Sequence, residues 1–478
     1  MVQGLNCNGP EEPAAAGASW CPDLTGIPGP RYLAIVGALE QAVEAGTLAP
    51  GARLPTHRGL AHALGVSVHT VSAAYAEAER RGLVSGETGR GTFVLGGGAS
   101  AGSFFARRRD AGLIDIAINR PVTTREHLDA FRATLTALGA DLPEHTVSSC
   151  RPVAGMDAHR AAGADWIGRR GLRLPPEQIL VTNGAAHGLL VVLAALTRPG
   201  DLVVTERLTD NGLIALSGIL HFRLQGLETD AEGLLPDAFE AACAAGDVRA
   251  LSVTPCFTNP TAAMMGTERR QAIAAVARRH GVAIVEDDVY GHLAAHAPAP
   301  MAALAPEVSY FVTSFTKTLA PGLRIGYVAA PAEAMARLAT HARATSWMAA
   351  PLLGEIAARW VSDGTADRLL RRQRALLEDR HKVLARVLDG FGLATAPHAP
   401  HAWLTLPEPW RADSFVAEAR LNGIALPPTE VFVVGREHAP HAVRLSKGAP
   451  EGLALFERAL GILAGMLHRE PEPRAHDI

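Results

Sequence analysis

At 478 residues, with 48% apolar and 19% charged side chains, the chain exceeds one ordinary domain and has the balance of a globular protein with two or three. A net charge of −3 gives no sign of a uniformly basic nucleic-acid binder, although one basic face fits inside a near-neutral total. Five cysteines form no Cys-x-x-Cys pair, which excludes a regular disulfide framework and fits a reducing cytoplasm, and the longest apolar runs, such as "GLLVVLAALT", are too short to span a bilayer.

Residues 1–25 are rich in Gly, Pro and Ala and lack the basic start and apolar stretch of a secretory signal, so a disordered lead-in is expected. Residues 26–95 read as one compact unit. In "RYLAIVGALEQAVEAG", Tyr32, Ile35, Val36, Leu39 and Val43 fall on one helical face, and Gly46 stops the helix. "THRGLAHALG" is a short second helix with Thr56 as N-cap. "VHTVSAAYAEAERRG" is a third, capped by Ser67 and burying Val68, Val71, Tyr75 and Ala78. "LVSGETGRGTFV" closes the unit as two short strands around a Gly-rich tip. Three helices and a hairpin make a winged helix-turn-helix. His69, Thr70 and Ala73 then lie opposite the apolar stripe, where a recognition helix meets base edges, and Ser67 at its start is a further DNA-binding candidate. Arg58 on the second helix and Arg90 at the wing tip suit phosphates or the minor groove. The competing reading is a solvated helical domain whose arginines have no partner.

The run "LPTHRGLAHALGVSVHTVSAAYAEAERRGLVSGETGRGTFV" resembles the winged helix of GntR-family transcription regulators along its whole length. The resemblance implies binding to double-stranded promoter DNA. Val68 and Ala73 stand where relatives often carry basic residues, which implies fewer phosphate contacts.

Residues 96–112 have linker composition, and residues 466–478 form a tail. Between them, strand-like and helix-like stretches alternate through 113–465, the pattern of a large α/β domain. The strand candidates are "ILVT" (179–182), "DLVVTE" (201–206), "ALSVTP" (250–255), "VAIVED" (282–287), "YFVTS" (310–314) and "RIGYVAA" (324–330).

Lys317 is one of only three lysines, set in the loop "SFTKTLAPGLR" between two of these strands. A neutral lysine amine condenses with an aldehyde, which requires a pKa lowered by burial or by cations such as Arg324. A lone lysine is more often a surface residue, so the surrounding elements decide. "VAIVEDDVYGHL" ends a strand in acids followed by Tyr290, and acids at that place need a cationic partner. "TPCFTNPTAAMM" offers Asn259 as a donor. "TNGAAHGLL" turns on Gly184 and Ala185 into a helix, giving backbone N–H groups to a phosphate, with Ser314 and Arg324 to complete the site. Singly these are caps, turns and a solvated acid run. Jointly they describe a ligand with a phosphate, a ring nitrogen, a phenolic oxygen and an aldehyde: pyridoxal 5′-phosphate (PLP).

The ordered Gly turn, N-P-T, D-x-x-Y, S-x-x-K and later Arg resemble the class I/II aminotransferases of PLP fold type I. The resemblance implies a large α/β domain with a smaller C-terminal α+β subdomain. It implies that Lys317 is the catalytic residue bonded to PLP, and that Asp287 pairs with the pyridine nitrogen, with Asp288 as the alternative. Tyr290 and Asn259 would bond the phenolic oxygen. Gly184, Ala185, Ser314 and Arg324 would hold the phosphate, and Arg444 in "HAVRLSKGAP" a substrate or effector carboxylate. A GntR winged helix joined to this fold resembles the MocR subgroup of regulators, which implies a homodimer that senses PLP or an amino compound. No metal site is expected. There are departures: Ala262 replaces the Gly of N-P-T-G, Asp210 stands where a ring-stacking tyrosine is common, and Lys447 beside Arg444 would favour an acidic effector. Two other functions fit the same residues: an active aminotransferase with an accessory winged helix, and a PLP-free dimeric DNA-binding regulator.

Overall fold

The computed structural model describes residues 20–24, 30–44, 47–48, 52–80, 83–87, 91–94, 112–435 and 438–469. The N-terminal unit contains α1 (Arg31–Glu44), α2 (His57–Leu64), α3 (Val68–Arg80) and an antiparallel hairpin of β1 (Val84–Glu87) and β2 (Gly91–Val94). Its turn chemistry is local. Thr56 caps α2 through Gly59 N–H, and Gly65, at φ 61°, ends it in the left-handed conformation that glycine adopts without a Cβ penalty. Ser67 then accepts from Thr70 N–H at 3.1 Å and starts α3.

Ile35, Val36, Leu39, Val71, Tyr75 and Ala78 form the buried core of this unit with Val84 and Val94. Val68 departs from expectation: it is 45% exposed, because at the first position of α3 it precedes the turn that faces the core. The lead-in also contributes more than expected, since Trp20 and Leu24 pack against the same core. Gly46, Arg90, linker residues 96–111 and tail residues 470–478 lie outside the described residues.

The large unit is organised by a seven-stranded sheet. Its strands are β3 (Ile179–Thr182), β4 (Leu202–Glu206), β5 (Arg223–Leu227), β6 (Val248–Val253), β7 (Ala283–Asp287), β8 (Ser309–Ser314) and β9 (Gly326–Ala329), in the spatial order β3-β9-β8-β7-β6-β4-β5. β9 runs antiparallel to both neighbours and the other strands are parallel. All the strands expected from sequence in the large domain lie in this sheet. β5 was not expected, because "RLQGL" is a half-exposed edge strand without an apolar run.

The central strands read as continuous apolar runs because both faces are covered. Ile179, Val181, Phe311 and Tyr327 point into one cluster with Trp166 and Trp360. The alternate residues Leu180, Val312 and Val328 enter a second cluster with Val191, Val192 and Leu216. At about 25 cal/mol per Å² of apolar surface, burial on both faces stabilises this sheet strongly. The parallel strands end together at Thr182, Val253, Asp287 and Ser314, which gathers the loops after them at one edge.

A smaller antiparallel sheet of β10 (Gly392–Ala394), β11 (His401–Thr405) and β12 (Ala442–Ser446) packs with the helix Leu453–Leu467. Ile114–Asp115 pairs in parallel with Ile424–Ala425, so the first residues of the domain are stitched to its C-terminal subdomain. Among the described residues, no helix is long and apolar enough to cross a membrane.

Candidate functional site

The turn from β3 into the helix Ala185–Leu196 forms the base of the site. Gly184 has φ 84°. Gly326 at the start of β9 lies directly beneath it: a Cβ there would stand 2.8 Å from the Gly184 carbonyl carbon and 3.0 Å from Ala185 N. Only glycine permits that approach. The Arg324 guanidinium closes the other side, 3.2 Å from where a Gly184 Cβ would be. Ser314 Oγ and Thr316 Oγ1 are buried without a hydrogen-bond partner among the described residues. A helix N-terminus, two unpaired hydroxyls and a guanidinium make a receptor for a phosphate dianion. Sequence reasoning missed Thr316, although it stands inside the S-x-x-K loop.

Lys317 leaves the loop after β8 and donates from Nζ to the Asn119 carbonyl at 2.8 Å. Burial lowers its pKa; Arg444 and Arg324 act in the same direction, while Asp210 and Asp287 oppose them. The Asn119 side chain donates to Tyr290 Oη and pairs with His401 Nδ1, both at 2.9 Å. His401 Nε2 faces the Thr258 carbonyl at 3.1 Å, so that nitrogen carries the proton and Nδ1 accepts. Burial drives the His401 pKa down to about 3 and keeps the ring neutral. Neither Asn119 nor His401 was anticipated. No local motif marks them, and they reach the site because the segment after Ile114–Asp115 and the strand β11 both belong to the C-terminal subdomain.

The two adjacent aspartates have different surroundings. Asp288 is fully buried and bound to Arg170 Nε at 2.7 Å. Asp287 Oδ1 is buried without a partner among the described residues. Burial, reinforced by the Asp210 carboxylate, pushes the Asp287 pKa up to about 8. A carboxyl group in that state lacks a cation, and a protonated ring nitrogen is the kind of group that would complete it.

Asp210 faces the site rather than solvent. It is the N-cap of the helix Asn211–Leu220, accepting from Gly212 N–H at 2.8 Å. Its other oxygen accepts from Asn259 Nδ2 at 2.5 Å, while Asn259 Oδ1 accepts from Arg444 Nη1 at 2.6 Å. Asn259 is therefore clamped between an acid and a guanidinium, with one amide N–H left for a ligand. Ala262, in the same loop, adopts φ 60°, a left-handed conformation that costs a non-glycine residue about 1 kcal/mol.

Arg444 is buried, donates also to the Ala117 carbonyl and lies 4.7 Å over the Phe432 ring. Its Nε is buried without a partner among the described residues, leaving a donor for an incoming carboxylate. The expectation for Lys447 is corrected. Its side chain is fully buried and Nζ donates to the Ala396 and Pro397 carbonyls at 2.8 and 3.0 Å, so it offers nothing to an effector. Burial lowers its pKa to about 7.

In the N-terminal unit, Arg58 and His69 are exposed. Ser67 Oγ and Thr70 Oγ1 are 2.8 Å apart at the exposed start of α3. The structure thus brings together Lys317, Asp287, Tyr290, Asn259, Gly184, Ala185, Ser314, Arg324 and Arg444 through the loops at the edge of the large sheet and the adjoining β12. Arg58, Ser67, His69 and Thr70 belong to a separate surface.

Comparison with known proteins agrees with this division. Residues 31–94 match the family "Bacterial regulatory proteins, gntR family", and residues 112–454 match "Aminotransferase class I and II". An uncharacterized HTH-type transcriptional regulator of Bacillus subtilis, YdeF, is 29% identical over 94% of this chain and 97% of its own length. The pyridoxine biosynthesis transcriptional regulator PdxR of Corynebacterium glutamicum is 28% identical over 73% of this chain and 77% of its own. Among solved structures, the α-aminoadipate aminotransferase LysN of Thermus thermophilus, complexed with N-(5′-phosphopyridoxyl)-L-leucine, superposes with a TM-score of 0.67. It is 24% identical, and the match covers 75% of this chain and 93% of that one, a likeness of fold. The chain belongs to the class I and II aminotransferase family and carries an N-terminal GntR-family regulatory domain.

Proposed function

We propose that the protein is a PLP-dependent transcription regulator that binds promoter DNA through its winged helix. One observation carries this reading: unpaired buried atoms of Asp287, Ser314 and Thr316 surround Lys317 in a chain that also presents an exposed recognition helix. Those residues fit the cofactor. PLP, when bound, supplies an aldehyde for amines and an electron-withdrawing ring. Lys317, its amine made more neutral by burial, would be the residue that holds PLP through that aldehyde. Asp287 meets the ring nitrogen, leaving Asp288 to Arg170. Tyr290 and the free N–H of Asn259 face the phenolic oxygen. The N–H groups of Gly184 and Ala185 with Ser314, Thr316 and Arg324 hold the phosphate. Arg444 Nε receives the carboxylate of an amino compound.

On the DNA side, Ser67, His69 and Thr70 meet base edges, and Arg58 meets phosphates, as does Arg90 at the wing tip. The working form is a homodimer, and the effector is PLP or an amino compound bound to it. Asp210 favours sensing over turnover, because a carboxylate at that place gives the cofactor no ring to stack on and occupies a donor of Asn259.

The test combines a mobility shift on DNA from upstream of the protein's own gene, with and without PLP and amino acids, with a transaminase assay. DNA binding that changes with PLP or an amine, together with slow or undetectable transamination, is the expected result. Rapid and complete transamination of a common amino acid and 2-oxoglutarate would instead support an aminotransferase with an accessory winged helix.

A further inference from the structure

Away from the cofactor site, side chains from three helices converge. They are His145 on His145–Ser148, His159 on Asp157–Gly168 and Glu355 on Pro351–Ser362. His145 Nε2 lies 3.1 Å and His159 Nε2 2.9 Å from one and the same oxygen, Glu355 Oε1. One ligand atom from each of the three residues lies within 4.8 Å of the others. A tetrahedral ion with bonds of about 2.0–2.2 Å separates its ligands by roughly 3.3–3.6 Å. Both nitrogen–oxygen distances are within a few tenths of an ångström of that spacing, so small side-chain rotations would admit an ion.

The burial is graded as a metal site requires. The His159 side chain is 3% exposed and Glu355 10%, whereas His145 is 42% exposed and opens the cluster to solvent. The His159 ring is also fixed in place: a Cβ on Gly354 would stand 2.5 Å from its Nδ1, so glycine at 354 makes room for the imidazole. Two imidazoles and one carboxylate form a donor set suited to zinc. Magnesium and calcium take oxygen ligands, and no thiolate is present to select copper(I).

We propose that His145, His159 and Glu355 form a zinc site, with water in the fourth position, that clasps these three helices together. The helix bearing Glu355 begins beside the phosphate turn, since Ala350 N–H donates to Asn183 Oδ1 at 3.2 Å and Asn183 precedes Gly184. None of the three ligands belongs to the PLP site, so the proposal stands apart from the function argued above.

The test uses the full-length protein, stripped with a chelator and titrated with Zn²⁺ against a chromophoric competitor. One equivalent should bind and raise the melting temperature, and Co²⁺ in its place should give the intense visible bands of tetrahedral coordination. His145→Ala removes the most exposed ligand and so disturbs the fold least. It should weaken zinc binding at least about 100-fold, beyond the roughly 10–100-fold typical of losing an outer-shell partner. Glu355→Gln serves as the second variant and should do likewise. Absence of zinc binding by the wild type, or equal binding by the wild type and both variants, would overturn the assignment.

Discussion

Asp210→Tyr separates two effects that the aspartate combines. The carboxylate caps the helix Asn211–Leu220 through Gly212 N–H, and it holds a donor of Asn259 at 2.5 Å. Tyrosine would forfeit the cap, at a cost of about 0.5–2 kcal/mol in the stability of the ligand-free protein. It would also supply a ring to stack on the cofactor, worth about 0.5–1.5 kcal/mol and by itself roughly threefold to tenfold in affinity. PLP binding should therefore tighten by roughly threefold to tenfold. Removing the negative charge beside Asp287 acts in the same direction, because Asp210 disfavours the ionised form of Asp287 that would pair with a ring cation. The assay is titration of the apo-protein with PLP by absorbance, paired with thermal unfolding of the same apo-protein. The expected result is opposite signs: tighter binding and a lower melting temperature. A folded Asp210→Tyr protein that bound PLP equally or more weakly than wild type would refute the reasoning.

Borohydride reduction of the PLP-loaded protein should leave a pyridoxyl group on Lys317, as peptide mass analysis will read; an adduct elsewhere, or none, removes Lys317 from its role. Asp287, an acid whose pKa rises from 3.8 to about 8 on folding, contributes stability at low pH that is lost as pH rises between those values. The melting temperature of ligand-free wild type should therefore fall more steeply from pH 5 to pH 8 than that of Asp287→Asn, and identical slopes would contradict the burial argument. Arg58→Ala should weaken binding to all DNA sequences alike and reduce the log–log salt slope by about one. A changed base preference at one position would show that Arg58 reads sequence instead.

The sequence by itself determined the division into a winged helix and a large α/β domain, the strands of the central sheet apart from its edge, and most of the residues that the fold gathers around Lys317. These features are local. A cap, a left-handed glycine, an apolar strand and the acid or lysine at its end are contiguous in the chain, so spacing reveals them. Sequence left Asp287 and Asp288 as alternatives and gave Lys447 a place beside the effector. Tertiary structure shows what each group touches: Arg170 holds one oxygen of Asp288, and two carbonyls take Lys447. Asn119, His401 and the cluster of His145, His159 and Glu355 carry no motif, because their partners lie far away along the chain and adjacent only in the fold. The orientation of Asp210 was settled in the same way. An aspartate before a helix is legible as a cap, but its second oxygen met Asn259 only when β4 and β6 were laid side by side in the sheet, bringing together two loops that the sequence keeps apart.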